Sequence, residues 1–313
     1  MINNFIVSGS PHIHKPTSVS RIMWTVVISL IPAGIAGVII FGLSALWVTL
    51  VAVAAAVLTE LIFGILTKKK ITILDGSAVI TGILLAFNLP STVPLWLPIV
   101  GAVSSIAIGK QVFGGLGQNI FNPALVGRVF LMASWPKYMT TFAKPFSFDA
   151  LTSATPLALL KEGKILENIS YLDLFLGNRG GCIGEVCILA LLIGAAFLLI
   201  KRYITWHIPV TYIVTTALFT YIFGAGQFFH GDWLFSILTG GLVLGAFFMA
   251  TDYVATPLTV KGQLIFGVGC GLLTAIIRIW GGYPEGVSYA ILMMNAATPF
   301  IDRYTKNRIY GSR

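Results

Sequence analysis

The residues Asp149 to Thr155 gather one carboxylate and three hydroxyls, those of Thr152, Ser153 and Thr155, around the small Ala154, and Pro156 and Leu157 follow. A threonine hydroxyl is a weak nucleophile by itself, so a lasting modification there needs another enzyme to deliver an activated group. A flavin dinucleotide could supply one by transferring its FMN half as a phosphoester, and Ala154 leaves room for the incoming phosphate. The same residues also make an ordinary polar turn, in which Asp149 and Thr152 hydrogen bond to the backbone and Pro156 stiffens it. By residue type alone the turn is favoured.

A second group runs from Gly114 to Ala124 and combines Gly114, Gly115 and Gly117 with Gln118, Asn119 and Asn122. Such glycines permit positive φ and close backbone approach, and the amides can satisfy a broken helix or bind a polar ligand. A tight re-entrant turn and a ligand or subunit contact both remain open. Glu60, Asp75, Arg128, Asp252, Arg278 and Asp302 lie within or beside apolar runs, where ionisable groups are costly unless paired or facing a polar cavity. Asp75 and Asp252 read as helix-end caps or ion partners, whereas Glu60 and Arg128 lie deep enough to suggest a pathway. The four histidines are scattered, and Cys182, Cys187 and Cys270 have no metal-ligand spacing, so neither a metal site nor a disulfide framework is expected.

These groups are carried by a chain of 313 residues that is 57% hydrophobic and 10% charged, against about 25% charged in soluble domains. An all-α polytopic membrane protein is the class that composition defines. The net charge of +9 comes from Lys and Arg at the ends of apolar runs, where they set topology and meet anionic lipid, which argues against a nucleic-acid partner. No secretory signal peptide is expected, because Pro11, His12, His14, Lys15 and Pro16 occupy the place of its apolar stretch.

Apolar runs long enough for a bilayer predict about ten transmembrane helices, near 22–41, 44–67, 76–90, 94–110, 121–135, 184–201, 207–225, 233–251, 261–279 and 286–301. With both termini cytoplasmic, thirteen basic residues fall inside, and the long polar interval 136–183 falls on the far side with five. The stretch from Thr81 to Phe87 echoes that from Thr239 to Phe247, and the pairs Gly114-Gly115 and Gly281-Gly282, then Asn122 and Asn295, follow in the same order. Two inverted five-helix repeats, 1–135 and 184–313, joined by the extracytoplasmic loop 136–183, are therefore expected, an architecture that places binding sites near the pseudo-two-fold axis. Inverted repeats also suit a stand-alone channel or secondary transporter.

The motif from Asp149 to Leu157, together with that from Gly114 to Ala124, resembles the D-subunit family of the Rnf complex, the ion-translocating ferredoxin:NAD⁺ oxidoreductase. The chain is similar also to the B subunit of the sodium-translocating NADH:quinone reductase, whose usual N-terminal extension is missing. Ser10-Pro11-His12 and Met249-Ala250-Thr251-Asp252 extend the likeness over nearly the whole chain. The resemblance implies FMN held covalently at Thr155, recognition by a flavin transferase that begins at Asp149, and Ser153 where relatives often carry Gly. It also implies a noncovalent riboflavin near the membrane, the A, B, C, E and G subunits of the complex as partners, and residence in the cell's inner membrane. Electron flow from ferredoxin to NAD⁺ would drive Na⁺ or H⁺ across that membrane.

Overall fold

A computed structural model describes residues 18–68, 73–146, 152–161, 170–224, 228–283 and 285–306. The described chain is mostly helical. In the first half lie α1 (Val19–Phe41), α2 (Leu43–Leu66), α3 (Ser77–Phe87), α4 (Trp96–Ile106) and α5 (Pro123–Ser134). Short elements follow: α6 (Pro136–Met139), β1 (Phe142–Ala143), β2 (Thr152–Ser153), α7 (Pro156–Lys161) and α8 (Tyr171–Leu176). The second half holds α9 (Ile188–Ile200), α10 (His207–Phe223), α11 (Trp233–Leu238), α12 (Leu242–Leu244), α13 (Val260–Trp280) and α14 (Val287–Tyr304).

The chain is a multi-pass membrane protein by composition and helix length. Among the described residues, α1, α2 and α13 are each long and apolar enough to cross a bilayer, and α3, α5, α9 and α10 are shorter apolar helices. Both faces of α1 are apolar: Leu30, Ala33, Gly37 and Ile40 turn inward, while Ile28, Ile31, Ile35 and Ile39 are exposed. That pattern suits a helix with protein on one side and hydrocarbon on the other. The inward face of α2 is a stripe of Ala45, Ala52, Ala55 and Ala56, and a Cβ added at Gly82 of α3 would lie 2.6 Å from the Val53 Cα. Small residues let these backbones touch, as membrane helices require where apolar burial supplies no driving force.

Several expected spans differ in form. The 94–110 run is α4 continued by a wide π turn at Ala107–Gln111. The 184–201 run begins as a turn, with α9 starting only at Ile188. At that turn Ile183 N–H donates to Leu89 O (3.0 Å) and Gly184 N–H to Phe87 O (3.1 Å), so the segment is held on the end of α3. The 233–251 run is broken: α11 stops at Leu238, Gly240 and Gly241 both take φ of +65°, and α12 resumes into a second π turn at Gly245–Met249. Only glycine adopts that pair of conformations without strain. Alongside the helices, β1 and β2 pair antiparallel, Phe142 with Ser153 and Ala143 with Thr152.

Within the first half α2 packs on α3 and α4, and within the second α10 packs on α11 and α13. The halves meet where α1 lies against α9 and α5 against α14.

Candidate functional site

Polar groups are buried at three levels of this bundle. At the first, α2, α3 and the π turn after α4 converge: Lys110 Nζ donates to both Glu60 oxygens at 2.8 Å and to Ser77 Oγ at 2.6 Å. Both charged residues are at most 3% exposed. Ser77 is fixed in turn by Asp75, whose Oδ1 accepts its N–H (2.8 Å) and its hydroxyl (2.6 Å). Asp75 is thus a helix-end cap, and Glu60 has a cation that the sequence reading placed at the membrane edge. Lys110 lies at the end of an apolar run with nothing in its neighbours to show that a π turn swings it inward.

Beside this pair is a cavity of about 100 Å³ reached by Lys110, Asn119, Asn122 and Asp252. The glycine-rich stretch before it is a turn, with φ of +123° at Gly114, +108° at Gly115 and +88° at Gly117. Asn122 caps α5 through Ala124 N–H (3.1 Å) and donates to Met249 O (3.2 Å) in the other half. Asn295, its counterpart in the echo, faces it: oriented to satisfy both amide atoms, Asn295 accepts from Asn122 N–H at 3.1 Å and donates to Ala255 O at 3.3 Å.

The second level is a charge cluster where the halves meet. Arg128 on α5 donates to Asn88 and forms an ion pair with Glu285, in the connection before α14. The segment before α9 adds Arg179, which donates to Glu185 O at 3.0 Å, and Glu185, whose Oε1 accepts Cys182 N–H at 3.2 Å. Cys182, Glu185 and Glu285 each offer a potential ligand atom within 4.8 Å of the others. Their spacing hides this, since Glu285 is remote in sequence and is already committed to Arg128. The only signal for Glu185 was a carboxylate next to the apolar run of α9.

The third level is at the start of α7. Thr155 is 5% exposed, and its Oγ1 accepts Ala158 N–H at 3.2 Å, an N-cap with Pro156 at the first helical position. Ala154 is exposed, Thr152 and Ser153 form β2, and Asp149 lies outside the described residues. Next to α7 opens a cavity of about 480 Å³ reached by Leu157, Leu160, Lys161, Asp232, Phe235 and Arg278. Partial burial lowers the Lys161 pKa, and its ammonium donates to Gly281 O and, at 3.0 Å, to Tyr283 O. Arg278 reaches from α13 to the helix break, donating to Ser236 O (2.7 Å), Thr239 O (3.0 Å) and Gly240 O (3.2 Å). It supplies the donors that the carbonyls of a broken helix lack.

A polytopic helical bundle could carry many functions, and comparison with known proteins narrows them to one class, the membrane subunits of ion-translocating oxidoreductases. Residues 6–311 match the NQR2, RnfD, RnfE family, and the chain belongs to that family. It is 53% identical over 310 residues to the D subunit of the Na⁺-translocating ferredoxin:NAD⁺ oxidoreductase complex of Acetobacterium woodii, covering 98% of this chain and 96% of that protein. It is 48% identical over 322 residues to the D subunit of the proton-translocating ferredoxin:NAD⁺ oxidoreductase complex of Clostridium ljungdahlii, covering 99% and 97%. With the D subunit of the ion-translocating oxidoreductase complex of Stutzerimonas stutzeri the identity is 38% over 330 residues, covering 94% and 93%.

Proposed function

We propose that this chain is the D-type membrane subunit of an ion-translocating ferredoxin:NAD⁺ oxidoreductase, an oxidoreductase complex, and that it carries FMN on Thr155. Whole-length identity to subunits of that name carries the reading. The A, B, C, E and G subunits of the complex are its partners, a flavin transferase matures it, and it resides in the inner membrane. Both termini are cytoplasmic and residues 136–183 extracytoplasmic. Na⁺ and H⁺ are equally compatible with the two relatives of highest identity given above, which are named for different ions.

The groups around Thr155 suit an FMN phosphoester. Oγ1 lies at the N-terminal end of α7, where it accepts the Ala158 N–H, and Lys161 and Arg278 line the cavity beside α7. Thr155 would hold the phosphate, and Arg278 and Lys161 would set the local charge. When bound, the flavin supplies one- or two-electron transfer, while the protein fixes its place and tunes its potential. Because Thr155 is buried, the segment that bears it must lift from the bundle for the transferase to reach the hydroxyl.

A noncovalent riboflavin is part of the same reading, without assigned residues. The cavity at Asn119 and Asn122 has suitable amides, but its 100 Å³ is well below the ~300 Å³ of typical small-molecule sites. Denatured protein coexpressed with its flavin transferase should retain in-gel flavin fluorescence, and Thr155→Ala should abolish it. Fluorescence unaffected by that substitution would remove Thr155 as the anchor.

A further inference from the structure

We propose that α7 is a strap that shields Thr155 from the flavin transferase while docked, and that Lys161 is the catch holding it down. This rests on the reading of Thr155 as the anchor and adds what regulates its modification. In the transfer an Oγ1–P bond forms to the FMN phosphorus of the flavin dinucleotide and the pyrophosphate bond breaks. AMP leaves with the bridging oxygen, and the hydroxyl proton passes to the transferase or to water. Such an attack needs the hydroxyl in line with the leaving group inside the enzyme's own pocket. The docked strap prevents it: Thr155, Pro156 and Leu157 are buried, and Oγ1 is engaged by Ala158 N–H.

Three contacts hold the strap. Ahead of Thr155, β2 is paired to β1. Leu157 belongs to the core of the bundle and lies so close to the helix break that a Cβ added at Gly240 would run into it. At the far end of α7 the Lys161 ammonium donates to Gly281 O and, at 3.0 Å, to Tyr283 O. Gly281 is the C-cap of α13, and the last carbonyls of a helix carry partial negative charge and lack partners within it, so a cation is well placed there. The receiving loop is itself fixed. Gly281 N–H donates to Ile277 O (2.9 Å), and the Tyr283 ring stacks on Tyr289 of α14 at 5.7 Å.

A helix of six residues does not persist by itself in water. Release of Lys161 therefore loosens α7 from the bundle and also melts it, and the cap that engages Oγ1 goes with it. Transfer proceeds through the open strap alone, and its rate scales with the fraction of molecules that are open.

The test uses full-length protein in detergent, purified from cells lacking the transferase, to which active transferase and flavin dinucleotide are added. Covalent flavin is followed over time by in-gel fluorescence. The initial rate should rise about fivefold or more in Lys161→Met, the effect of losing roughly one net hydrogen bond, while Lys161→Arg should stay within about twofold of wild type. A second readout needs no transferase. Thr155→Cys should react slowly with a hydrophilic maleimide, and about fivefold faster once Lys161→Met is added, after subtraction of labelling at the three native cysteines. Lys161→Cys joined to Gly282→Cys by a short bismaleimide should slow transfer relative to the same protein left unjoined. Transfer or labelling at or below the wild-type rate in the Lys161→Met background, or transfer unaffected by the cross-link, would overturn the strap and leave the anchor standing. Covalent flavin absent from every variant even on coexpression with the transferase, or retained in Thr155→Ala, would defeat the anchor and the strap together.

Discussion

At the scale of single residues, buried charges dominate. Lys110 and Glu60 neutralise each other in the bundle, with Ser77 as a third partner. Breaking a buried pair leaves one charge uncompensated and typically costs ~3–5 kcal/mol, whereas replacing both partners with apolar groups is often near neutral. Glu60→Ala should therefore lower the thermal unfolding midpoint in detergent sharply, and Glu60→Leu combined with Lys110→Met should recover most of it. If the single and double variants unfold alike, the pair does not hold the bundle together. The sequence made Glu60 and Arg128 visible as interior charges because each interrupts a long apolar run. Lys110 was hidden, because a basic residue at the end of a run reads as one that meets lipid headgroups, and Arg278 was visible as an ionisable residue beside a run but without its partners. Thr155 was visible as a candidate through its motif, while its capping of α7 depended on where the helix would start.

At the scale of elements, the turn before α9 ties the two halves through α3. A Cβ added at Gly184 would lie 2.2 Å from the Phe87 ring, so Gly184→Ala overpacks a contact between buried groups. The cost should be ~1–3 kcal/mol, and Phe87→Leu in the same chain should relieve part of it, as read from unfolding midpoints. Equal midpoints for wild type and Gly184→Ala would show that Phe87 moves freely. The long helices α1, α2 and α13 were legible from apolar length alone. The break at Gly240 and Gly241 was not, because a run of apolar residues with two glycines reads equally well as a continuous helix. The break is met by Arg278, which bonds Gly240 O from 38 residues further along the chain, and periodicity does not register such a contact.

At the scale of the whole molecule, the proposed orientation, with both termini cytoplasmic, can be set against where the charges end up. Removing the buried Lys110 from the inner side and the buried Arg179 and Arg278 from the outer side leaves twelve basic residues against four. The asymmetry expected for that orientation is sharper once these buried cations are excluded. A membrane-impermeant maleimide applied to spheroplasts should label Lys144→Cys, an exposed position beside β1, and should reach Arg202→Cys only after the membrane is opened. Labelling of both from outside would reverse the topology.

The helix break also bears on how the chain is made. Residues 233–251 leave the ribosome well before α13, and until α13 arrives the carbonyls of Ser236, Thr239 and Gly240 lack the guanidinium that satisfies them. Unsatisfied carbonyls in hydrocarbon are costly, so this stretch should wait in a wetter place, at the insertion machinery or the interface, until α13 joins it. The last third of the protein would then enter the membrane as one unit, and its biogenesis would depend on a single arginine near the end of α13.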